Sequence, residues 1–246
     1  MPTISQKYTQ VAVINNTTTV SDTDGSNMVV ALNMLLPNFC SDWSISDVSA
    51  VYIPRGGGGL PRNVHYIYLT ETSDVADALA YHTFTNDTSF GKVFVKTILE
   101  NNGVIMYDPD LTRPTVAQAL SHEVFELLID PMCNSWWMNY NTGLLYASEV
   151  CDPIESNVIV VNIPNGIMVG LSDWILPAWQ DSSNTAGPFN YMNTLTAPFQ
   201  VKNGYAMVIK DSTVTSIYGE PTNPTRYSHC RHSQRFAKRR SAMKPV

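Results

Sequence analysis

The stretch "AQALSHEVFELLIDP", Ala117 to Pro131, decides how the rest of the chain is read. Ala119, Leu120, Val124, Phe125, Leu127, Leu128 and Ile129 make most of one predicted helix apolar, and confine His122, Glu123, Glu126 and Asp130 to a narrow polar stripe. Residues four apart on a helix share a face, so His122 and Glu126 point the same way and Asp130 follows one turn on. Glu123 is rotated from His122 by about 100°, close enough to reach a water or a substrate beside a bound ion. An amphipathic helix ordinarily turns its polar side to water. If most of this helix is buried, its carboxylates are semi-buried and need a partner.

His-Glu-x-x-Glu is one substitution from His-Glu-x-x-His, in which two imidazoles bind zinc and the glutamate is a general base. One imidazole with carboxylates makes a harder site, open to Mn and Ca as well as Zn. A five-residue match also arises by chance, and an isolated one ordinarily marks an acidic helix face. The charge balance favours the ion. The chain holds 15 Lys/Arg and 21 Asp/Glu, and seven of the basic residues lie between Arg226 and Val246, with no acidic residue among them. Residues 1–225 therefore carry a formal charge of −13 within a chain total of −6. Basic partners for buried carboxylates are scarce there, and a cation is the economical substitute. Further ligands are sought in "EVCDPIE", where Glu149, Asp152 and Glu155 lie 23 or more residues beyond Glu126.

The composition supports a sizeable core: 246 residues, 44% hydrophobic and 15% charged, where about a quarter charged is usual. No run of 18 apolar residues is present, so no membrane span is expected. The start "MPTISQKYTQ" shows no apolar signal segment, which points to a protein of the cytoplasm or one carried in a virus particle. Cys40, Cys133, Cys151 and Cys230 are scattered without a Cys-x-x-Cys pair and read as thiols. Cys133 and Cys151 flank the site region, which leaves a disulfide between them open.

Strands are predicted over 11–20, 48–54, 64–70, 78–85, 91–99 and 158–164, and a helix over 21–39, capped by Ser21 or Asp22 and ended by Pro37. Thr112 is a candidate N-cap for the quoted helix, with Pro114 in its first turn. Strands, then helices, then irregular structure imply an α+β fold: a mixed twisted sheet, a long N-terminal helix, a site-bearing helix packed on the sheet, and a loop-rich C-terminal part. "RGGGG" (55–59) reads as a loop, since no Gly-Lys-Ser/Thr follows. His82 reads as a packed strand histidine rather than a ligand, His65 still more so, and Trp136 and Trp137 as core or rim packing.

The ordered segments "VAVINNTTTVSD", "VVALNMLLPNFCSDWSI", "VYIPRGG", "ALAYHTF", "GKVFVKT", "ALSHEVFELLIDP", "LYASEVCDPIE", "LSDWILPAW" and "LTAPFQVKNGYAMV" resemble a poorly characterised zincin-like, metallopeptidase-like family of bacteria, phages and other viruses. The resemblance spans roughly residues 11–210. It implies a metallopeptidase-like fold in which the helix bearing His122 and Glu123 packs on a twisted sheet, with Glu126 as the family's own choice in the helix motif; no substrate comes with the resemblance, and a metal-dependent hydrolase acting on a peptide or protein is the expectation by analogy of fold. Carried over by position, Glu123 is the catalytic base, His122, Glu126, Glu149 and Asp152 are metal ligands, and Asp130 and Glu155 support them. The ion is divalent, with Zn the first choice and Ca or Mn the others. The alternative is an inert zincin-like scaffold or virion component.

Residues 1–225 read as one domain and 226–246 as a basic tail. Arg231, Arg235, Lys238, Arg239 and Arg240, interleaved with Tyr227 and Phe236, suit contact with nucleic acid or a capsid-type assembly. Cys230 with His229 and His232 is too tightly spaced for a standard zinc module.

Overall fold

The computed structural model describes residues 8–75, 78–86 and 88–220. The tail residues Arg231, Arg235, Lys238, Arg239 and Arg240, and with them the boundary at 225, lie outside the described residues. The fold is α+β, with three helices and several sheets among the described residues. The first sheet contains β1 (Gln10–Asn15), β2 (Ser49–Ile53), β3 (His65–Thr70), β4 (Ala80–Thr85) and β5 (Thr88–Phe94), in the order β2-β1-β3-β5-β4. Its neighbours pair in parallel except β4, which runs antiparallel to β5 at one edge. Helices α1 (Asp22–Trp43), α2 (Val95–Glu100) and α3 (Val116–Ile129) complete the first part. An antiparallel sheet of order β11-β10-β7-β6 follows, built from β6 (Trp136–Asn139), β7 (Leu144–Ala147), β10 (Tyr205–Lys210) and β11 (Thr213–Tyr218). The hairpin of β8 (Val158–Ile163) and β9 (Ile167–Ser172) packs against α1 and, through β9, against α3.

Alternation along the strands sorts side chains to two faces. Val11, Val13, Ile67, Leu69, Ala80 and Val93 point into the main core, which also receives α1 and α3. Ala12 and Ile14 join Tyr66 and Tyr68 in a smaller cluster on the other face. Helix α3 packs on β3, β4, β5 and β9, so it is surrounded, and every residue from Val116 to Ile129 except Ala119 is buried. Its anchor is Phe125, whose ring stacks on Phe39 of α1 at 4.6 Å and meets Trp174 edge-on at 5.0 Å.

Three local expectations are corrected. Pro37 lies inside α1, which runs on to Trp43. Losing one helical hydrogen bond and accommodating the ring costs about 3 kcal/mol, and burial of Phe39, Cys40 and Trp43 beyond the proline outweighs it at roughly 1.5–3 kcal/mol per large side chain. The run 91–99 is not one strand: β5 ends at Phe94 and α2 begins at Val95. Val95 and Ile98, three apart, both face the core. The cap of α3 is Thr115, which accepts from Gln118 N at 2.9 Å. Thr112 instead donates its N–H to Asp108 Oδ2 at 2.9 Å, in a turn where Arg113 grips the same carboxylate. Ser21 caps α1 as the sequence suggests, accepting from Asp24 N. Trp137 packs flat against Trp43 at 5.7 Å.

The β1–α1 connection is held by Glu71, whose carboxylate accepts from Thr18 N at 2.6 Å and Thr19 Oγ1 at 2.7 Å. Those bonds pull its pKa down to about 2. A depressed carboxyl stabilises the fold above its unfolded pKa and loses that contribution as pH falls through the folded value. Acid titration of stability should therefore be shallower in Glu71→Gln than in the wild type between about pH 4.5 and 2, read by thermal melts across that range. Phe125→Ala should cost about 3–5 kcal/mol in chemical denaturation, because the cavity opens between α1, α3 and Trp174.

Candidate metal centre

The polar stripe of α3 does not reach water. It faces the edge strand β4 on one side and the segment after β7 on the other. Strand β4 alternates, so Ala80 and His82 turn toward α3 while Tyr81 turns away. His82 pairs across the ladder with Gly91 on β5. A Cβ at Gly91 would sit 2.5 Å from Ile67 Cδ1, a collision within the sheet, and 3.6 Å from Glu123 Cβ, an ordinary contact that shows how closely α3 lies on the sheet here.

His122, Glu123, Glu126, Asp130, Glu149, Asp152, Glu155 and also His82 are all buried, none more than 4% exposed. Among the described residues no lysine or arginine side chain is buried. His122 Nε2 lies 2.9 Å from Glu126 Oε1 and 3.2 Å from Asp152 Oδ1. His82 Nδ1 lies 3.2 Å from Glu123 Oε2 and 3.7 Å from Glu126 Oε2. Its Nε2 is 3.1 Å from the carbonyl oxygen of Asp130 and 3.9 Å from Glu149 Oε2. Glu126 thus stands at the middle, one oxygen toward each imidazole.

The downstream motif reaches the centre through a 3-10 turn, Asp152–Ile154, whose entry brings Cys151 N within 3.4 Å of Glu126 Oε1. Asp152 comes to the His122 side and Glu149 to the His82 side. Glu155 contributes a backbone carbonyl that accepts from Gln118 Nε2 at 2.9 Å, tying the motif back to α3. Asp130 follows α3 as its C-cap and accepts from Asn134 N at 3.0 Å and Ser135 N at 3.1 Å, which turns the chain toward β6. Cys133 and Cys151 are thiols, with their sulfurs 3.6 Å from His82 O and 3.9 Å from His122 O.

Two triads bring donor atoms within 4.8 Å of one another: His122, Glu126 and Cys151, and His82, Glu126 and Glu149. Donors sharing one ion at bonds of about 2.0–2.2 Å stand roughly 2.8–3.6 Å apart. The 2.9 and 3.2 Å separations at His122 fall in that interval, so these buried groups can hold a metal ion. Two of the donors escape a motif-based reading. His82 stands on a strand 40 residues before His122 with no spacing to mark it, and the fold sets it among the candidate donors rather than in packing alone. Cys151 sits inside the second motif but reads there as an incidental thiol.

A scan against protein-family models finds no match, and neither curated proteins nor solved structures match the chain. Among the described residues no helix is long and apolar enough to cross a membrane. Asp130→Ala should destabilise the protein by about 1–3 kcal/mol, since two part-buried hydrogen bonds to a buried carboxylate are lost, while Asp130→Asn, which keeps an oxygen there, should lose less; urea denaturation of both variants checks this.

Proposed function

We propose that the protein is a zincin-like, metal-dependent hydrolase that cleaves peptide bonds, with a divalent ion held between α3 and the 149–155 segment. The observation that carries this reading is His122 Nε2 between Glu126 Oε1 at 2.9 Å and Asp152 Oδ1 at 3.2 Å, with Glu123 the next residue on the helix. Imidazole with the nearby Cys151 thiol favours zinc, while the surplus of carboxylates would also admit Mn or Ca. A divalent ion in this place would polarise a carbonyl oxygen and acidify a water. Glu123 is the proton acceptor: as the water oxygen bonds to the carbonyl carbon, Glu123 Oε2 takes its proton and passes it to the nitrogen when the C–N bond breaks. His82, 3.2 Å from that oxygen, positions it. Hydrolysis requires a path from solvent to Glu123, which is fully buried.

A second reading rests on burial. Every donor is closed off from solvent, which suits an ion that ties α3 to β4 and the 149–155 segment in a catalytically inert scaffold. In that reading Arg231, Arg235, Lys238, Arg239 and Arg240 dock the protein on nucleic acid or on an assembly such as a virus particle.

One set of measurements separates the readings: metal content of the purified full chain, its melting temperature with and without a chelator, and hydrolysis of a peptide library. The hydrolase reading expects a bound divalent ion, a lower melting temperature on chelation, and cleavage reduced about 10²–10⁴-fold in Glu123→Gln with metal content retained. A bound, stabilising ion without cleavage leaves the scaffold reading. Absence of any bound ion overturns both.

A further inference from the structure

We propose that Gln118 is a positioning residue of the metal centre: its amide clamps the 155–157 backbone to α3 and so fixes the turn that sets Asp152 beside His122. This rests on the metal-binding reading above and adds to it a residue outside the donor set.

The 3-10 turn Asp152–Ile154 is weakly held by its own bonds. Pro153 has no N–H to give. The two bonds within the turn are long, Ile154 N to Cys151 O at 3.2 Å and Glu155 N to Asp152 O at 3.3 Å. Shorter bonds tie it to other segments. Lys202 N donates to Pro153 O at 2.9 Å, Ser156 N to Asn203 O at 2.8 Å, and Gln118 Nε2 to Glu155 O at 2.9 Å. The place of Asp152 is therefore set by what the turn rests on.

One support is backbone. Gly204, just before β10, lies against the turn so closely that a Cβ built on it would fall on Asp152 O, with Pro153 C at 2.6 Å and Glu155 N at 2.8 Å. All three are main-chain atoms, which cannot swing aside as the end of a side chain can.

The other support is Gln118. It stands one helical turn before His122 on the same face of α3. Its amide nitrogen carries two N–H donors and meets two carbonyls of the downstream segment, Glu155 O at 2.9 Å and Asn157 O at 3.4 Å. Both ends of this link are anchored. Ser121 Oγ donates to Gln118 O at 3.0 Å and accepts from Ser172 N at 2.8 Å, which ties that turn of α3 to β9. Asn157 Nδ2 donates to Asp173 Oδ2 and to Thr194 Oγ1, each at 2.9 Å. One face of α3 thus carries both His122 and the amide that holds the segment bearing Asp152. The Asp152 carboxylate stands 3.2 Å from His122 Nε2, within the spacing of donors that share an ion. A turn released from Gln118 would carry it out of that spacing.

The affinity of the full chain for zinc, or for manganese or calcium if zinc does not bind, is measured by competition with a chelator. It should fall about 10–100-fold in Gln118→Met, the range seen when the supports of metal ligands are removed. Gln118→Glu, which keeps the shape and loses the donors, should fall as well and serves if Gln118→Met fails to fold. Ile14→Ala, on the sheet face turned away from α3, should lower the melting temperature with the affinity unchanged. In the Asp152→Ala background the Gln118 substitutions should weaken binding no further, because their effect passes through the Asp152 side chain. Unchanged affinity in the Gln118 variants, or a loss that adds in full to that of Asp152→Ala, overturns the proposal and leaves the metal-binding reading standing. A wild-type chain that binds none of the three ions overturns both.

Discussion

Carboxylates removed from water need a positive partner, and the architecture around α3 is organised by that constraint. Nearer the rim the partner is ordinary: the partly exposed Arg113 lies across Asp108 at 2.7 Å and holds its carboxyl well below the usual range. In the centre no buried lysine or arginine is at hand among the described residues, and the ring nitrogens beside Glu123, Glu126, Glu149 and Asp152 belong to His82 and His122. Turning the helix to bring its polar stripe to water would expose its apolar remainder. Phe125, wedged against Phe39 and Trp174, holds it in place.

Other buried carboxylates in the same molecule show how polar groups are accommodated without an ion. Asp173 is surrounded by N–H donors: Asn157 Nδ2 at 2.9 Å and Asn190 Nδ2 at 2.6 Å reach one oxygen, and the backbone of Trp174 and Met192 reaches the other. Burial pushes its carboxyl up while those four donors pull it down, and burial wins. Asp130 is served by two backbone N–H groups. Asp173 and Asp130 are built as acceptors among donors. Glu126 is set differently: ring nitrogens of His122 and His82 stand against its two oxygens, and Cys151 N also lies 3.4 Å from Oε1.

Much of this was legible along the chain because the signals are local. The stripe of His122, Glu123, Glu126 and Asp130 follows from helical spacing, and β1 to β3 follow from short β-branched runs between polar breaks. The failures are also local in form but tertiary in cause. Pro37 ends a helix in isolation and is tolerated where Phe39 and Trp43 have a core to enter. Val95 to Leu99 looks extended by composition, yet its buried positions are spaced for a helix. Thr112 is an acceptable cap, but Asp108 and Arg113 occupy it and the helix is capped three residues later.

The sequence by itself determined which side chains form the polar stripe of α3 and which acidic groups the 149–155 segment offers, because residue type and a period of 3.6 are properties of the chain alone. Tertiary structure decided which of them meet. It brought Asp152 to His122 and Glu149 to His82, and it enlisted His82 from a strand whose own pattern says only that the residue is buried. The antiparallel register that sets His82 opposite Gly91, and the approach of Glu123 to that glycine, are pairings between distant segments. Such pairings arise from packing a sheet edge against a helix, and no spacing within either segment encodes them.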